Sequence, residues 1–156
     1  MDRVSEFALN KEGLNDVKGF CRSKASELWL FQKNRGLAKA LMVEAAGLNP
    51  VFEAKRAEIF RRSNERIEKI FETMKSNGFS APYNTRTCAL LCNGTLYHVI
   101  NDWLLRDSNR MLTGYAYPIV IYNLNAFQLD YQKLQVIQYI DEMMMDMEKG
   151  FKGVSL

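Results

Sequence analysis

Gly36-Leu-Ala-Lys-Ala-Leu-Met-Val-Glu-Ala-Ala-Gly-Leu-Asn-Pro50 is the stretch that shows how the chain is divided into helices. Residues 37–46 are almost all apolar, which predicts a short helix inside the domain. Gly47 favours the end of that helix, because glycine readily takes the backbone conformation that closes one. Asn49 offers a side chain that caps a new helix, and Pro50 fits its first position, where no N–H is needed.

Apolar residues at helical spacing extend the pattern on both sides of this stretch. Upstream, one stripe predicts a first long helix with a buried end near residue 31, and it consists of Leu14, Val17, Cys21, Ala25 and Leu28. Downstream, residues 50–77 predict a long helix with one inward face, formed by Phe52, Ile59, Phe60, Ile67, Ile70, Phe71 and Met74. Its charges alternate in sign, as in the pairs Glu58–Arg62 and Glu65–Lys69, which indicates a solvated face rather than a DNA-binding one.

Two later helices differ in character. Residues 85–106 are apolar over almost the whole circumference, and such a helix needs a packing partner on each side. The last helix, residues 130–149, is expected to end at Gly150, and its apolar stripe consists of Val136, Ile140, Met143, Met144 and Met147. We expect these helices from two subunits to form an intermolecular four-helix bundle, with Gly94 as a point of close approach. The alternative is that both are buried within a monomer.

The composition limits the classes of protein to which the chain can belong. The 156 residues, 47% hydrophobic and 25% charged, match one domain over residues 1–156. The periodicity predicts an all-α fold, an antiparallel helical bundle in which residues 108–129 form an extended or partly helical crossover. A net charge of +3 neither predicts nor excludes nucleic-acid binding. With no signal-peptide or membrane-span pattern and three cysteines expected to be reduced core residues, we expect a cytoplasmic protein.

Motifs for catalysis are absent from the sequence. The only histidine is His98, and no nucleophile-elbow, Walker or dinucleotide-binding glycine motif occurs. Cys88 and Cys92 lie one helical turn apart, but His98 falls on another face, so the three cannot bind one metal ion. We expect no enzyme activity, no metal site and no cofactor. A redox switch between the two cysteines is the alternative to their role as buried thiols.

The order of these segments resembles the regulatory domain of TetR/AcrR-type repressors over most of the chain. The segments that carry the resemblance are Leu30-Phe-Gln-Lys-Asn-Arg-Gly36, Leu37-Ala-Lys-Ala-Leu-Met-Val-Glu-Ala-Ala-Gly47, Asn49-Pro-Val-Phe-Glu-Ala54, Asn93-Gly-Thr-Leu96 and Asn101-Asp-Trp-Leu-Leu105. The resemblance implies a homodimer that encloses an apolar pocket for a small hydrophobic effector. The effector would control DNA binding by an N-terminal helix-turn-helix domain, which has no counterpart in these 156 residues, so we expect a fragment of a longer regulator.

The resemblance also implies positions for the two functional surfaces. The dimer interface falls on the final two helices, at Leu91, Thr95, Val99, Ile140, Met143 and Met147. Candidate ligand-binding residues are aromatic or polar groups on apolar faces, namely Trp29, Met42, Phe60, Phe71, Cys88, Tyr97, His98 and Asn101. The last three are the strongest, because a polar group on an apolar helix needs a hydrogen-bond partner. Two other functions remain open: a stand-alone dimeric interaction module that does not bind DNA, and a small all-α enzyme.

Overall fold

Helices and the turns that join them make up the described part of the chain, whose structure is a computed structural model. The structure describes residues 17–44, 47, 49–76, 78, 82–106 and 109–152, and no strand occurs in these ranges. The helices are α1 (Val17–Lys33), α2 (Arg35–Lys39) with a π-helical continuation (Ala40–Glu44), α3 (Pro50–Ser76), α4 (Thr85–Leu105), α5 (Ala116–Ala126) after a 3₁₀ turn (Leu112–Tyr115), and α6 (Lys133–Lys152). The predicted all-α fold is confirmed, while Leu14 of the predicted first stripe lies outside the described residues.

The central element of the fold is α1. Every residue from Gly19 to Phe31 is buried, and the helix contacts α2, α3, α4, α5 and α6. Cys21, Ala25 and Leu28 of the predicted stripe do lie in the core. The other faces of α1 carry serines and charged residues, and these are buried as well. A helix of this composition can be buried only where its neighbours supply hydrogen-bond partners.

Side-chain contacts fix the directions of the helices on one side of α1. α3 runs antiparallel to α1, because the Phe20 ring lies beside Phe71 and Ser63 donates a hydrogen bond to Glu27. α4 packs along α3 in the opposite direction and therefore points the same way as α1. α1, α3 and α4 therefore pack against one another near the middle of α1.

The last helix, α6, packs along α1 and points in the same direction. Arg22 pairs with Asp146 at 2.9 Å, and further along both helices Lys33 pairs with Glu148 at 3.3 Å. The indole N–H of Trp29 also donates to Glu148 at 3.2 Å. α6 is therefore part of the core of the single chain.

The helix start predicted at Asn49 and Pro50 is confirmed, and the described part of the preceding helix ends at Glu44, with residues 45, 46 and 48 outside the described ranges. Gly47 has a φ of +83°, the left-handed conformation that favours glycine. The N–H of Val51 donates to Asn49 Oδ1 at 2.8 Å, and the N–H of Gly47 donates to Glu53 Oε1 at 2.8 Å. The Val51 bond satisfies a backbone donor at the start of α3, and the Gly47 bond joins the preceding turn to the first turn of α3.

Several segments differ from their predicted form. Leu37 and Val43 were expected inside the domain but are exposed, because only one face of their short helical segment packs against α4. Phe52 was expected on the inward stripe of α3 but is 54% exposed, because α3 has no buried residue before Ser63. α6 continues through Gly150, since a glycine weakens a helix by about 1 kcal/mol without having to end it.

The expected crossover contains the 3₁₀ turn and α5, so its described part is largely helical. Residues 107 and 108 at its start lie outside the described ranges. Among the helices that the structure describes, none is long and apolar enough to cross a lipid bilayer.

Phe71 is expected to be one of the main contributors to stability. Its ring is 0% exposed and lies 6.1 Å from Phe20 and 5.0 Å from Phe127 between ring centroids. Replacing Phe71 by alanine should leave a cavity and lower the free energy of unfolding by about 3–5 kcal/mol. Phe52→Ala on the same helix is the matched control and should change it by less than about 0.5 kcal/mol. Urea denaturation followed by circular dichroism measures both, and equal losses would contradict the placement of the two rings.

Candidate functional site

Charged and polar side chains meet where α1, α3 and α4 pack together. The side chains of Lys24 and Glu27, both on α1, are 0% and 5% exposed. Lys24 Nζ donates to Glu27 Oε2 at 3.3 Å and to Asn93 Oδ1 on α4 at 2.6 Å. Ser63 Oγ on α3 donates to Glu27 Oε1 at 3.2 Å. We call Lys24, Glu27, Ser63, Asn93 and Tyr97 the polar cluster.

Asn93 joins the three helices of the cluster. Its amide nitrogen donates to Asn64 Oδ1 at 2.7 Å and to Ser63 Oγ at 3.4 Å, while its oxygen accepts from Lys24. A buried ammonium group or carboxylate is costly unless it is paired and hydrogen-bonded. Lys24 and Glu27 are paired with each other, and each also has a hydrogen-bond partner on another helix. The energetic cost of burying the two charges is therefore compensated.

The hydroxyl group of Tyr97 is the exception in the cluster. Its Oη atom is buried and has no hydrogen-bond partner of acceptable geometry among the described residues. Burial raises the pKa of Tyr97 above its ordinary value, and the negative charge of Glu27 adds to the rise. Ser63 lies close enough to oppose this rise, and its oxygen can still accept a hydrogen bond, since the proton of its hydroxyl is donated to Glu27. Tyr97 is therefore protonated at neutral pH and has an O–H to donate.

Aromatic and cationic side chains connect the polar cluster to the surface of α3. The Phe60 ring lies 4.8 Å from the Tyr97 ring, and the Arg56 guanidinium lies 4.9 Å from the centre of the Phe60 ring. An open groove of about 750 Å³ runs along α3, and its described lining residues are Pro50, Val51, Ala54, Lys55, Glu58, Ile59, Arg62 and Arg66. The charge of Arg66 also lowers the pKa of Tyr97, so this side chain is near both the groove and the cluster.

Charge pairs line the groove along α3. Glu58 accepts hydrogen bonds from Arg61 at 2.6 Å and from Arg62 at 2.8 Å, and these bonds lower the pKa of Glu58 to about 2. The predicted Glu58–Arg62 pair is thus confirmed, whereas Glu65 pairs with Arg61. The groove therefore carries both signs of charge beside its apolar residues.

The three cysteines are free and buried, as predicted. Burial raises the pKa of Cys92 to about 12 and also raises the pKa of Cys88. Because the thiolate is the reactive form, both thiols behave as core groups at neutral pH. In the described part of the chain, no group of three or more metal-ligating side chains comes together.

The predicted ligand-binding residues lie in three environments. The ones buried in the core are Trp29, Met42, Phe71 and Cys88. Phe60, Tyr97 and Asn101 are half-buried, and His98 is exposed on the outer face of α4. Phe60 and Tyr97 are brought into contact, whereas Phe71 packs into a separate aromatic cluster. Their role in ligand binding stays a prediction, for which the Tyr97 hydroxyl gives the strongest structural reason.

The predicted dimer-interface residues divide between two helices. On α4, Leu91 is 50% exposed, and Thr95 and Val99 are half-buried. A Cβ atom added at Gly94 would meet no heavy atom of the described residues within 4 Å, so this face of α4 is open. On α6, the three predicted residues are buried in the core of their own chain, and they are Ile140, Met143 and Met147. A second subunit could meet α6 only through a different face.

Four members of the polar cluster were not predicted from the sequence: Lys24, Glu27, Ser63 and Asn93. The available signal was a polar residue inside an apolar helical stripe. Lys24 comes four residues before Leu28, and Ser63 comes four residues before Ile67. Because residues at this spacing share one face of a helix, a stripe that is buried also buries the polar residue within it.

The fold is similar to that of a known transcriptional regulator. The chain matches the crystal structure of FadR from Bacillus subtilis in complex with stearoyl-CoA, with a TM-score of 0.67 and 16% sequence identity. The match covers 80% of this chain and 67% of that chain. No protein-family model and no curated protein matches the sequence. The all-helical arrangement described above is therefore one that a ligand-bound transcriptional regulator also contains.

Breaking the buried ion pair between Lys24 and Glu27 is expected to lower the free energy of unfolding strongly. Lys24→Met leaves the Glu27 carboxylate buried without its counter-charge, which should lower the free energy of unfolding by about 3–5 kcal/mol. Adding Glu27→Gln removes the second charge and should recover at least half of that loss. Arg106→Met, which breaks the exposed pair with Asp102, is the control and should cost less than about 1 kcal/mol. Urea denaturation of the four proteins tests this, and it fails if Lys24→Met costs no more than Arg106→Met.

Proposed function

We propose that these 156 residues are the effector-binding and dimerisation domain of a TetR-like transcriptional repressor. The likeness of fold to FadR supports a regulator, and the sequence resemblance supports the TetR/AcrR type. Because one fold serves many functions, the proposal depends on the site as well. The observation that carries it is the Tyr97 hydroxyl, which is buried in the polar cluster without a hydrogen-bond partner of acceptable geometry in the described chain.

The effector that we propose is a small and mostly apolar molecule. The polar cluster is surrounded by apolar core residues of α1, α3 and α4, and a ligand that reaches it must bury an apolar body there. FadR was crystallised with stearoyl-CoA, a molecule with a long aliphatic acyl chain. Long-chain acyl compounds are therefore the first effectors to test.

The proposed mechanism is a shift of population between two arrangements of the helices. A ligand bound where α1, α3 and α4 meet would favour one arrangement over another by the difference between its two affinities. DNA would be bound by a domain outside these 156 residues, in a cytoplasmic regulator without catalytic residues or cofactor. α1 contacts five other helices, so a change at the polar cluster would extend to the rest of this single domain.

Stearoyl-CoA is expected to bind the 156-residue chain and to stabilise it. At a ligand concentration of about 100 times Kd, the stabilisation is about 2.7 kcal/mol, which corresponds to a rise in Tm of roughly 5–10 °C for a domain of this size. Differential scanning fluorimetry measures the shift, and native mass spectrometry reports the bound mass. Coenzyme A without an acyl chain is the control. Absence of a shift with stearoyl-CoA, stearate and shorter acyl chains would favour the interaction-module alternative.

We also propose that the domain forms a homodimer through the open face of α4. Leu91, Gly94 and Thr95 lie on this face at helical spacing, and the small residues would allow two copies of α4 to approach closely. The predicted α6 side of the interface is occupied by packing within the chain. A contribution from α6 would come from its exposed apolar residues, which are Leu134, Ile137 and Met145.

Replacing Leu91 by aspartate is expected to convert the dimer to a monomer. The substitution would bury a charge at the centre of the proposed interface, where it has no partner. Met111→Asp alters a side chain that lies outside α4 and α6 and is 66% exposed, and it should leave the dimer intact. Native mass spectrometry and light scattering give the subunit count of each protein. A monomeric wild-type protein would overturn the proposal, and so would a Leu91→Asp variant that remains a dimer.

A further inference from the structure

Apolar and basic side chains alternate along the groove of α3. Four of the residues that line it follow one another at intervals of three or four positions, and they are Val51, Lys55, Ile59 and Arg62. This spacing puts them on one face of the helix, and we call them the α3 row. Every described residue that lines the groove belongs to α3, and Val51 is 62% exposed. In the described part of the chain, the α3 row is therefore not covered by another helix.

α6 carries a row of the same kind on its outer face, with acidic side chains in place of the basic ones. The row consists of Ile137, Asp141, Met145 and Glu148, and we call it the α6 row. All four residues are exposed, whereas the face of α6 that packs against α1 is buried. Glu148 Oε1 binds Trp29 and Lys33, but half of the Glu148 side chain is still exposed. The α6 row is thus accessible to a second molecule.

The two rows match in spacing and are opposite in charge. The two basic residues of the α3 row are seven positions apart, as are the two acidic residues of the α6 row, so each pair of charges spans about 10.5 Å along its helix. Two parallel helices side by side would bring the rows together in the pairs Val51–Ile137, Lys55–Asp141, Ile59–Met145 and Arg62–Glu148. An antiparallel alignment would also join opposite charges, but the apolar residues that begin the two rows would not meet. The parallel alignment is therefore the more favourable one.

We propose that the α3 row binds the α6 row of a second copy of this chain, with the two helices parallel. In one chain α3 points against α1 and α6 points along it, so α3 and α6 have opposite directions. A two-fold axis perpendicular to these helices reverses the second copy, and α3 then lies parallel to the α6 of that copy. The same operation forms the contact twice, once from each copy. This contact is separate from the α4 interface and does not depend on an effector.

The contact between the two rows is expected to be weak. Each row covers about 16 Å of helix, and exposed ion pairs contribute little to stability. Interfaces below about 1,200 Å² are typical of transient encounters. Association through the rows should therefore appear only at high protein concentration, or where something else holds two copies close together.

Sedimentation equilibrium of the Leu91→Asp chain tests this contact, because that substitution removes the α4 interface from the measurement. The chain should be monomeric at about 5 μM and should dimerise at about 0.5 mM, as expected for a transient interface. Adding Lys55→Glu places two carboxylates opposite each other and should weaken the association about 10-fold. The matched control is Lys75→Glu, which makes the same change of charge at an exposed lysine of α3 outside the row. It should leave the association unchanged.

A mixture of two variants tests the pairing of Lys55 with Asp141. Asp141→Lys in the Leu91→Asp chain should weaken the association as Lys55→Glu does, because it places two ammonium groups opposite each other. In a mixed dimer of the two variants, one contact has both charges exchanged and the other has both original charges. Each contact then joins opposite charges, so an equimolar mixture should associate about as tightly as the parent chain.

The possible results separate this contact from the proposed function. A Leu91→Asp chain that stays monomeric at about 0.5 mM overturns the inference and leaves the groove to another occupant, such as an effector or a different protein. Equal weakening by Lys55→Glu and Lys75→Glu also overturns it, and so does a mixture that associates no better than its two components. A Leu91→Asp chain that is already dimeric at about 5 μM, and that Lys55→Glu dissociates, supports this contact and overturns the α4 interface instead. The effector function is tested by ligand binding and is unaffected by any of these results.

Discussion

A lysine ammonium group buried in the middle of α1 determines how closely the neighbouring helices must pack. An unpaired charge at this depth would cost several kcal/mol, so the acceptors of Lys24 cannot move away from it. Glu27 supplies one acceptor from the same helix and Asn93 supplies the other from α4. Ser63 and Asn64 bind these two partners from α3. Hydrogen bonds thus set the spacing of α1, α3 and α4, whereas α6 is held by apolar side chains together with the ion pairs Arg22–Asp146 and Lys33–Glu148.

The helices could be predicted from the sequence because their signals are local. The glycine at residue 47 and the asparagine at residue 49 act within one turn of chain, and both perform the expected roles. The burial of every residue of α1 from Gly19 to Phe31 could not be predicted in this way. Its charged residues resemble those of a solvated face, and only contacts with helices distant in sequence show that no face remains in water. Likewise, the stripe on α6 indicates burial without showing whether the partner is α1 or a second subunit.

The candidate site was predicted only in part, because the sequence alone does not show which residues of a helix face the core. Tyr97 was selected as a polar group on an apolar helix, and its hydroxyl is indeed buried. His98 was selected by the same rule but is exposed, because consecutive residues on a helix point about 100° apart and only one of the two faces the core. Ser63 and Asn93 were passed over although they occupy stripe positions. A polar residue within a buried stripe was thus more informative than an aromatic one, which packs in cores and pockets alike.

The glycine at residue 94 has a consequence for sequence variation. Nothing in the described chain occupies the space next to its Cα, and alanine at an exposed position inside a helix is more stable than glycine by about 1 kcal/mol. Selection for folding alone would therefore favour a larger residue here. If the domain acts as a dimer, a mutational scan that scores solubility should accept alanine or serine at residue 94, while one that scores regulation should reject bulky residues. The difference between the two scans would separate the demands of assembly from those of folding at a single position.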